Sequence, residues 1–308
     1  MVGDARELRK RLSEQRVLRV AGVHDGLSAL IAERHRFDAA WASGLGISAA
    51  HGVPDASILT MTEFRDAAHV IDRSCGIPAI ADCDTGFGDV RNLRLAVAEY
   101  DDLGIAAICI EDKAYPKRNS FSGAEQELAD PHEFAAKIAT AKDAQRDPDF
   151  MVIARLESFI AGAGVDDALA RARLYEHAGA DAVLVHSRKR DPAEVLDFAA
   201  RWRDAGSATP LVAIPTTYPT ITADELEAAG FSIVIYANQA LRAAAGAMES
   251  TLREIARAGT SIGVEGELPP VRTIFELTGE AAVDEVDERF LEAVASARRA
   301  DPSNARIG

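Results

Sequence analysis

Asp82-Cys83-Asp84 is the first place in the chain where residue type and spacing could do chemistry. On a strand, residues two apart point to the same face, so both carboxylates would aim at one place. Two converging carboxylates repel unless a proton or a cation sits between them. Glu111 ends the next apolar run and would join them. A hard divalent ion with oxygen ligands, Mg²⁺, fits Asp82, Asp84 and Glu111 and would retain several waters. An Asp-x-Asp turn capping the helix after Gly88 would explain the pair alone, but it leaves Glu111 out.

Arg155 and Glu157 are again two apart, in Ile-Ala-Arg-Leu-Glu. The planar fork of arginine can grip a carboxylate or phosphoryl group there, and an internal Arg–Glu pair is compatible with that use. His186 ends another run, either as a substrate-binding or proton-donating group or as a satisfied core histidine. After Glu111 comes Asp112-Lys113-Ala114-Tyr115-Pro116-Lys117-Arg118-Asn119-Ser120, and regular structure resumes only near Pro131. Roughly 2–6 residues is usual for such a connection. A solvated charged loop would explain the composition. Length, position and sign together favour a lid that closes over an anion and excludes water.

Positioning these residues falls to a repeated unit: a short apolar, β-branched run, a polar residue at its end, then a helical stretch. The eight runs are Val17–Val23, Phe37–Ser43, Pro78–Asp84, Ala106–Glu111, Met151–Glu157, Asp181–Ser187, Pro210–Thr216 and Ser232–Asn238. Such runs suit parallel strands buried on both faces. Helical spacing follows at Val90–Leu103, Pro131–Gln145, Val165–Ala178 and Pro192–Arg203, with Gly104 and Gly179 where a left-handed C-terminal residue is often required. Eight regular units point to a closed (β/α)8 barrel, and no Gly-x-Gly-x-x-Gly follows any run to support a dinucleotide fold. In such barrels the site forms at the C-terminal strand ends. Ser43, Asp82, Asp84, Glu111, Asp112, Arg155, Glu157, His186, Ser187, Thr216 and Asn238 stand there. The whole of 1–308 reads as one barrel domain whose residues 239–308 form a C-terminal helical segment, with helices at Gln239–Arg257, Pro270–Leu277 and Ala282–Arg298 suited to packing on a partner subunit.

The 308 residues carry 48% apolar side chains, enough for one large core. Lys plus Arg total 34 against 49 Asp plus Glu, a net charge of −15 that argues against nucleic acid as a partner. No apolar stretch reaches the length of a membrane span or a signal peptide. Cys75, Cys83 and Cys109 have no metal-type spacing and read as small buried hydrophobes of a cytoplasmic protein.

The lid sequence Glu-Asp-Lys-x-Tyr-Pro-Lys-x-Asn-Ser closely resembles that of phosphoenolpyruvate mutases, in the isocitrate lyase/phosphoenolpyruvate mutase superfamily. So do Trp41-Ala-Ser43-Gly44-Leu45, Val53-Pro54-Asp55, Ala81 to Gly88, Ile153 to Gly162, Gly179 to Ala182, His186-Ser187 and Tyr236-Ala237-Asn238. The similarity runs through nearly the whole chain in the expected order. It implies Mg²⁺ near Asp82, Asp84 and Glu111, partly through waters. It implies that Trp41, Ser43, Gly44 and Leu45 hold the oxo-acid carboxylate and its neighbours, with Asp55 supporting the site. Arg155 and His186 match phosphoryl-contacting positions; Lys117, Asn119 and Ser120 match the lid that seals the site. The resemblance further implies a homo-oligomer, a dimer or a dimer of dimers, whose last barrel helix is exchanged between subunits.

Within the superfamily, carbon–carbon lyases carry a Lys-Lys-Cys-Gly-His lid motif, and this lid has neither cysteine nor histidine. Two phosphorus chemistries remain: mutation of phosphoenolpyruvate to phosphonopyruvate, or hydrolysis of phosphonopyruvate. Lys117-x-Asn119-Ser120 resembles the mutase lid, whereas hydrolases tend to carry threonine where Asn119 stands. Pro215-Thr216-Thr217-Tyr218-Pro219 is closer to the hydrolase version, and Arg118 departs from the small polar residue of mutases. The lid touches the reacting group, so the expectation is a mutase, with a hydrolase as the alternative and a non-catalytic scaffold disfavoured by the retained set of charged residues.

Overall fold

The computed structural model describes residues 4–14, 16–123 and 125–300. Strands β1 (Leu18–Val23), β2 (Ala39–Ala42), β3 (Ala79–Asp82), β4 (Ala107–Glu111), β5 (Met151–Leu156), β6 (Ala182–Val185), β7 (Leu211–Ala213) and β8 (Phe231–Tyr236) close in sequence order into a barrel. Every pairing is parallel, including the β1–β8 seam. This is the (β/α)8 architecture expected from the eight apolar runs.

Helices α1 (Ala5–Ser13), α2 (Gly26–Arg34), α3 (Gly44–Ala50), α4 (Met61–Ser74), α5 (Val90–Asp102), α6 (Pro131–Ala144), α7 (Ser158–Ala161), α8 (Gly164–His177), α9 (Ala193–Asp204) and α10 (Ala223–Ala228) accompany the strands. Their starts follow local chemistry. Asp130 accepts from the amides of His132 and Glu133 at the head of α6, with Pro131 at the first helical position, where its missing N–H costs nothing. Thr60 and Glu63 form a reciprocal capping box on α4. Gly104 and Gly179 take φ of 86° and 96° after α5 and α8, as their positions predict.

Two apolar layers hold the unit together. Leu18, Val20, Ala39, Trp41, Ile80, Cys109, Ile153, Leu184, Val212, Ile233 and Ile235 fill the barrel interior, joined by Ala5 and Leu8 of α1. The other face of each strand packs against the helices, through residues such as Val152, Ala154, Leu156, Val183 and Val185. Arg9 ties α1 to the N-terminal strand ends, donating to Asp149 O at 2.7 Å and to Asp181 Oδ1 at 2.7 Å. Gly22 on β1 lies against β8's end so closely that a Cβ there would meet Ala237 O at 2.0 Å.

This unit runs to Ala247, within α11 (Gln239–Ala258). A second unit from Met248 holds the rest of α11, with α12 (Val271–Thr278) and α13 (Glu280–Ala300) packed on each other. All three cysteines are free and buried. Among the described residues, no helix is long and apolar enough to cross a membrane.

Candidate active site

Strand parity delivers the site. Ile80, Cys109, Ile153, Leu184, Ile214 and Ile235 face the barrel interior. Two residues further on stand Asp82, Glu111, Arg155, His186 and Thr216, with Ala237 the one apolar exception, so the inward row changes from apolar to largely polar at the C-terminal mouth. A cavity of about 50 Å³ lies there, lined by Trp41, Ser43, Leu45, Asp55, Asp82, Lys117, Asn119, Ser120, Arg155 and His186 from the expected set. Phe121, Ile214, Thr216, Ala237 and Asn238 complete its wall. Gly44, Asp84 and Glu111 sit just outside that lining, and the Gly44 amide donates to Asp82 Oδ2 at 3.2 Å.

The long loop after β4 is folded over this cavity. Its two arms are zipped at the base: Ala114 N donates to Glu127 O and Ala129 N to Asp112 O, both at 2.9 Å. Lys117 Nζ stands 2.7 Å from both Asp55 Oδ1 and Asp84 Oδ1. Asn119 Nδ2 donates to Asp55 Oδ2 at 2.6 Å, while Asn119 Oδ1 accepts from Phe121 N at 2.9 Å. Ser120 Oγ donates to Glu157 Oε2 at 2.7 Å and accepts from Lys113 Nζ at 2.6 Å and Arg155 Nη2 at 3.2 Å. That hydroxyl is fully subscribed. The Phe121 ring stands edge-on to His186, with centroids 5.6 Å apart. Phe121 is a wall residue that the sequence reading passed over; its signal is a second aromatic in the lid after Tyr115, directly following Asn-Ser.

Below the lid, Arg155 Nε donates to Glu157 Oε1 at 2.6 Å. His186 Nδ1 lies 2.7 Å from Glu157 Oε1 and 2.9 Å from Arg155 Nη2. One nitrogen cannot donate and accept at once. The carboxylate is the stronger claimant, so Nδ1 carries the proton, Glu157 accepts it, and Nε2 is left as the acceptor nitrogen. Burial pushes the His186 pKa down, and Arg155 and Lys113 push it further, against the pull of Glu157. Burial alone would raise the Glu157 carboxyl, but Arg155, His186 and Lys113 hold it well below the ordinary range.

Asp84 breaks with the expected strand geometry. β3 ends at Asp82, and Asp84 has φ +50°, so the every-second-residue rule does not extend to it. The two carboxylates nevertheless approach one point: a Cβ on Gly44 would lie 3.0 Å from Asp82 Oδ2 and 3.3 Å from Asp84 Oδ1. Glu111 does not complete a direct three-carboxylate set, and none of three or more His, Cys, Asp or Glu forms among the described residues. Its Oε2 stands 3.4 Å from Arg155 Nε, and its buried Oε1 has no hydrogen bond.

Electrostatics favour an added cation. Burial, with Asp82, Asp55 and Glu111 nearby, raises Asp84 to about 7 despite Lys117. Burial likewise raises Asp82. Burial would raise Asp55 too, yet Lys117 and Asn119 bring it below its usual value. One ammonium between two carboxylates neutralises one of them. The surplus of hard oxygen donors, with Glu111 Oε1 buried and without a hydrogen bond, fits a Mg²⁺ ion held partly through waters.

The profile of the phosphoenolpyruvate phosphomutase family matches residues 8–256 of this chain. The crystal structure of a phosphoenolpyruvate phosphomutase from Streptomyces platensis subsp. rosaceus is 48% identical, with a TM-score of 0.91, over 94% of this chain and 99% of that one. The phosphonopyruvate hydrolase of Variovorax sp. (strain Pal2) is 42% identical over 92% of this chain and 98% of its own. A crystal structure of a phosphonopyruvate hydrolase in complex with oxalate and Mg²⁺ is 41% identical, with a TM-score of 0.88, over 94% of this chain and 99% of that one. A family profile spanning most of the barrel and relatives this similar over nearly their full lengths leave one assignment: the chain belongs to the phosphoenolpyruvate phosphomutase family.

Proposed function

We propose that the chain is an isomerase, a phosphomutase that interconverts phosphoenolpyruvate and 3-phosphonopyruvate and so forms the C–P bond that opens phosphonate biosynthesis. The observation that carries this reading is Asn119. Both ends of its amide are held, by Asp55 and by Phe121 N, over a small cavity. It offers a donor to a migrating phosphoryl group and no base to activate water.

From phosphonopyruvate, the C–P bond breaks and its electron pair passes into the pyruvate enolate. The enolate oxygen then takes the phosphoryl group, with no water consumed. Such transfers pass through a loose transition state, so positioning and electrostatics carry most of the catalysis. Arg155 grips the phosphoryl group, His186 lines its pocket, and Glu157 orients both. Backbone amides near Gly44 and Leu45, with Ser43, hold the carboxylate and enolate oxygens above Trp41. Lys117, Asn119 and Ser120 seal the mouth, and Asp55 fixes the first two. Mg²⁺, held by Asp82, Asp84 and Glu111 partly through waters, would supply charge neutralisation of the oxo-acid and phosphoryl oxygens.

A second reading, phosphonopyruvate hydrolase, is favoured by Pro215-Thr216-Thr217-Tyr218-Pro219 and by the Variovorax relative. Phosphorus NMR of the purified protein with phosphonopyruvate and Mg²⁺ separates them. Conversion to phosphoenolpyruvate without early inorganic phosphate supports the mutase; direct release of phosphate with pyruvate replaces it by the hydrolase. If neither forms, the carbon–carbon lyase or the scaffold reading takes over.

The chain is further proposed to act in the cytoplasm as a single catalytic domain, assembled as a dimer or dimer of dimers through the C-terminal segment 239–308, of which 301–308 lie outside the described residues, with the last barrel helix exchanged. Supporting this, α11 has no buried residue, and Met248 and Leu252 on it are 59% and 64% exposed.

A further inference from the structure

Lys113 is a lysine with no route to water. It belongs neither to the cavity wall nor to the proposed chemistry, and its side chain is 2% exposed. A buried ammonium is costly unless all three of its hydrogens find acceptors. Lys113 Nζ finds them: Ser120 Oγ at 2.6 Å, Arg118 O at 3.0 Å and Glu157 Oε2 at 3.0 Å. Two of the three lie on the lid and bracket Asn119; the third lies on the barrel floor beneath it. Glu111 Oε1, at 3.7 Å, is a more distant fourth.

The arrangement is a staple. The chain leaves β4 at Glu111, and two residues later the Lys113 backbone joins the zipped base of the lid by its bridge to Leu128. Its side chain turns back and grips the lid tip from below. Opening the lid would take away two of the three acceptors at once and leave the ammonium facing Glu157 and Glu111. The lid tip is therefore held by a charge that belongs to the barrel mouth, in addition to what Lys117 and Asn119 contribute from above.

We propose that Lys113 is a positioning residue that latches the lid closed, fixing Asn119 over the cavity by holding the residues on either side of it. The latch sets how often the lid tip lifts, and so how often water reaches the reacting phosphoryl group. The kinetic part of this proposal rests on the phosphomutase reading; the structural part does not.

The test uses Lys113→Met and Lys113→Arg in the full-length protein, each checked for a cooperative thermal melt. Arg118 is exposed in the lid, so trypsin cleavage after it reports lid opening. We expect Lys113→Met to be nicked there about tenfold faster than the parent. For phosphonopyruvate, kcat should fall about a hundredfold with KM changed far less. The ratio of inorganic phosphate to phosphoenolpyruvate should rise, and Lys113→Arg, which keeps charge and donors, should recover part of all three. A Lys113→Met protein with parental cleavage and parental product ratio overturns the latch, even if its kcat falls. Should Lys113→Met fail to melt cooperatively, Lys113→Gln, which keeps a donor, carries the same comparison. If the parent turns over no phosphonopyruvate, the phosphomutase reading fails while the cleavage comparison still decides the latch.

Discussion

Asn119 Nδ2 reaches across the mouth of the barrel to Asp55 Oδ2 at 2.6 Å, joining the tip of the lid to the loop after α3. Phe121 N at the other end of the amide removes any ambiguity about which atom donates.

Asn119→Ala should therefore lower kcat about 10²–10³-fold, the range for losing one preorganised donor to a developing anion. The melting temperature should stay within about 3 °C of the parent, because the residue is partly exposed. Asn119→Thr should instead release inorganic phosphate from phosphonopyruvate. Steady-state kinetics with phosphorus NMR read both, and near-parental turnover by the alanine variant would sink the role given to this amide.

Mg²⁺ together with oxalate, a mimic of pyruvate enolate, should raise the melting temperature. At a ligand concentration about 100-fold above Kd the stabilisation is about 2.7 kcal/mol. Asp82→Ala should melt cooperatively and show no such rise. A parental response in that variant would place the ion elsewhere.

Phe121→Ala uncovers His186 and opens the cavity wall. The edge-on contact is worth about 0.5–1.5 kcal/mol, too little to unfold the barrel. The product ratio should shift toward inorganic phosphate while the melting temperature moves by no more than a few degrees. An unchanged ratio would show that the ring plays no part in excluding water.

Asp72 supplies a pH dependence away from the site. Burial raises its carboxyl from 3.8 to about 6. Because the folded state holds the proton more tightly, its contribution to stability is full below pH 3.8 and is lost as the pH rises through about 6. Asp72→Asn should stabilise the protein at pH 7.5 by about 1 kcal/mol after allowance for solvent screening, or roughly 2–4 °C. The gain should vanish at pH 4, and melts at the two pH values decide it.

Gly22→Ala places a methyl group 2.0 Å from Ala237 O across the β1–β8 seam. Overpacking of this kind costs about 3 kcal/mol or more when backbone must move. Chemical denaturation should show that loss, and a parental midpoint would mean that the seam is looser than described.

The barrel was legible in the sequence because parallel strands buried on both faces must be apolar almost throughout, as β4 and β5 are. The site was legible where strand parity governs it: Asp82, Arg155 and His186 fall where an every-second-residue count puts them. Asp84 escaped the count because the chain leaves the strand after Asp82 and turns through a left-handed residue, a change that no residue type at that point announces. Phe121 escaped because its value lies in a contact with His186, 65 positions away, on a different element. Ser120 reads from the sequence as part of the lid that seals the site, and its three protein partners are what the sequence does not reveal. Lys113 was read as one of several lid cations, and only the path of its side chain shows that it points inward.

The inward row that changes from apolar to polar at the barrel mouth makes the chain sensitive to spelling as well as to letters. Removing one residue from the interior of β5 would carry Arg155 to the helix-facing side and bring a neighbour inward, although every chemical group would still be present. The same deletion near Gly123, in the outer part of the lid, shifts no parity at all. Substitutions test the letters of this site. Single-residue deletions, scanned along the chain, would trace its grammar: a sharp intolerance with the boundaries of the strands, and slack in the outer part of the lid near Gly123.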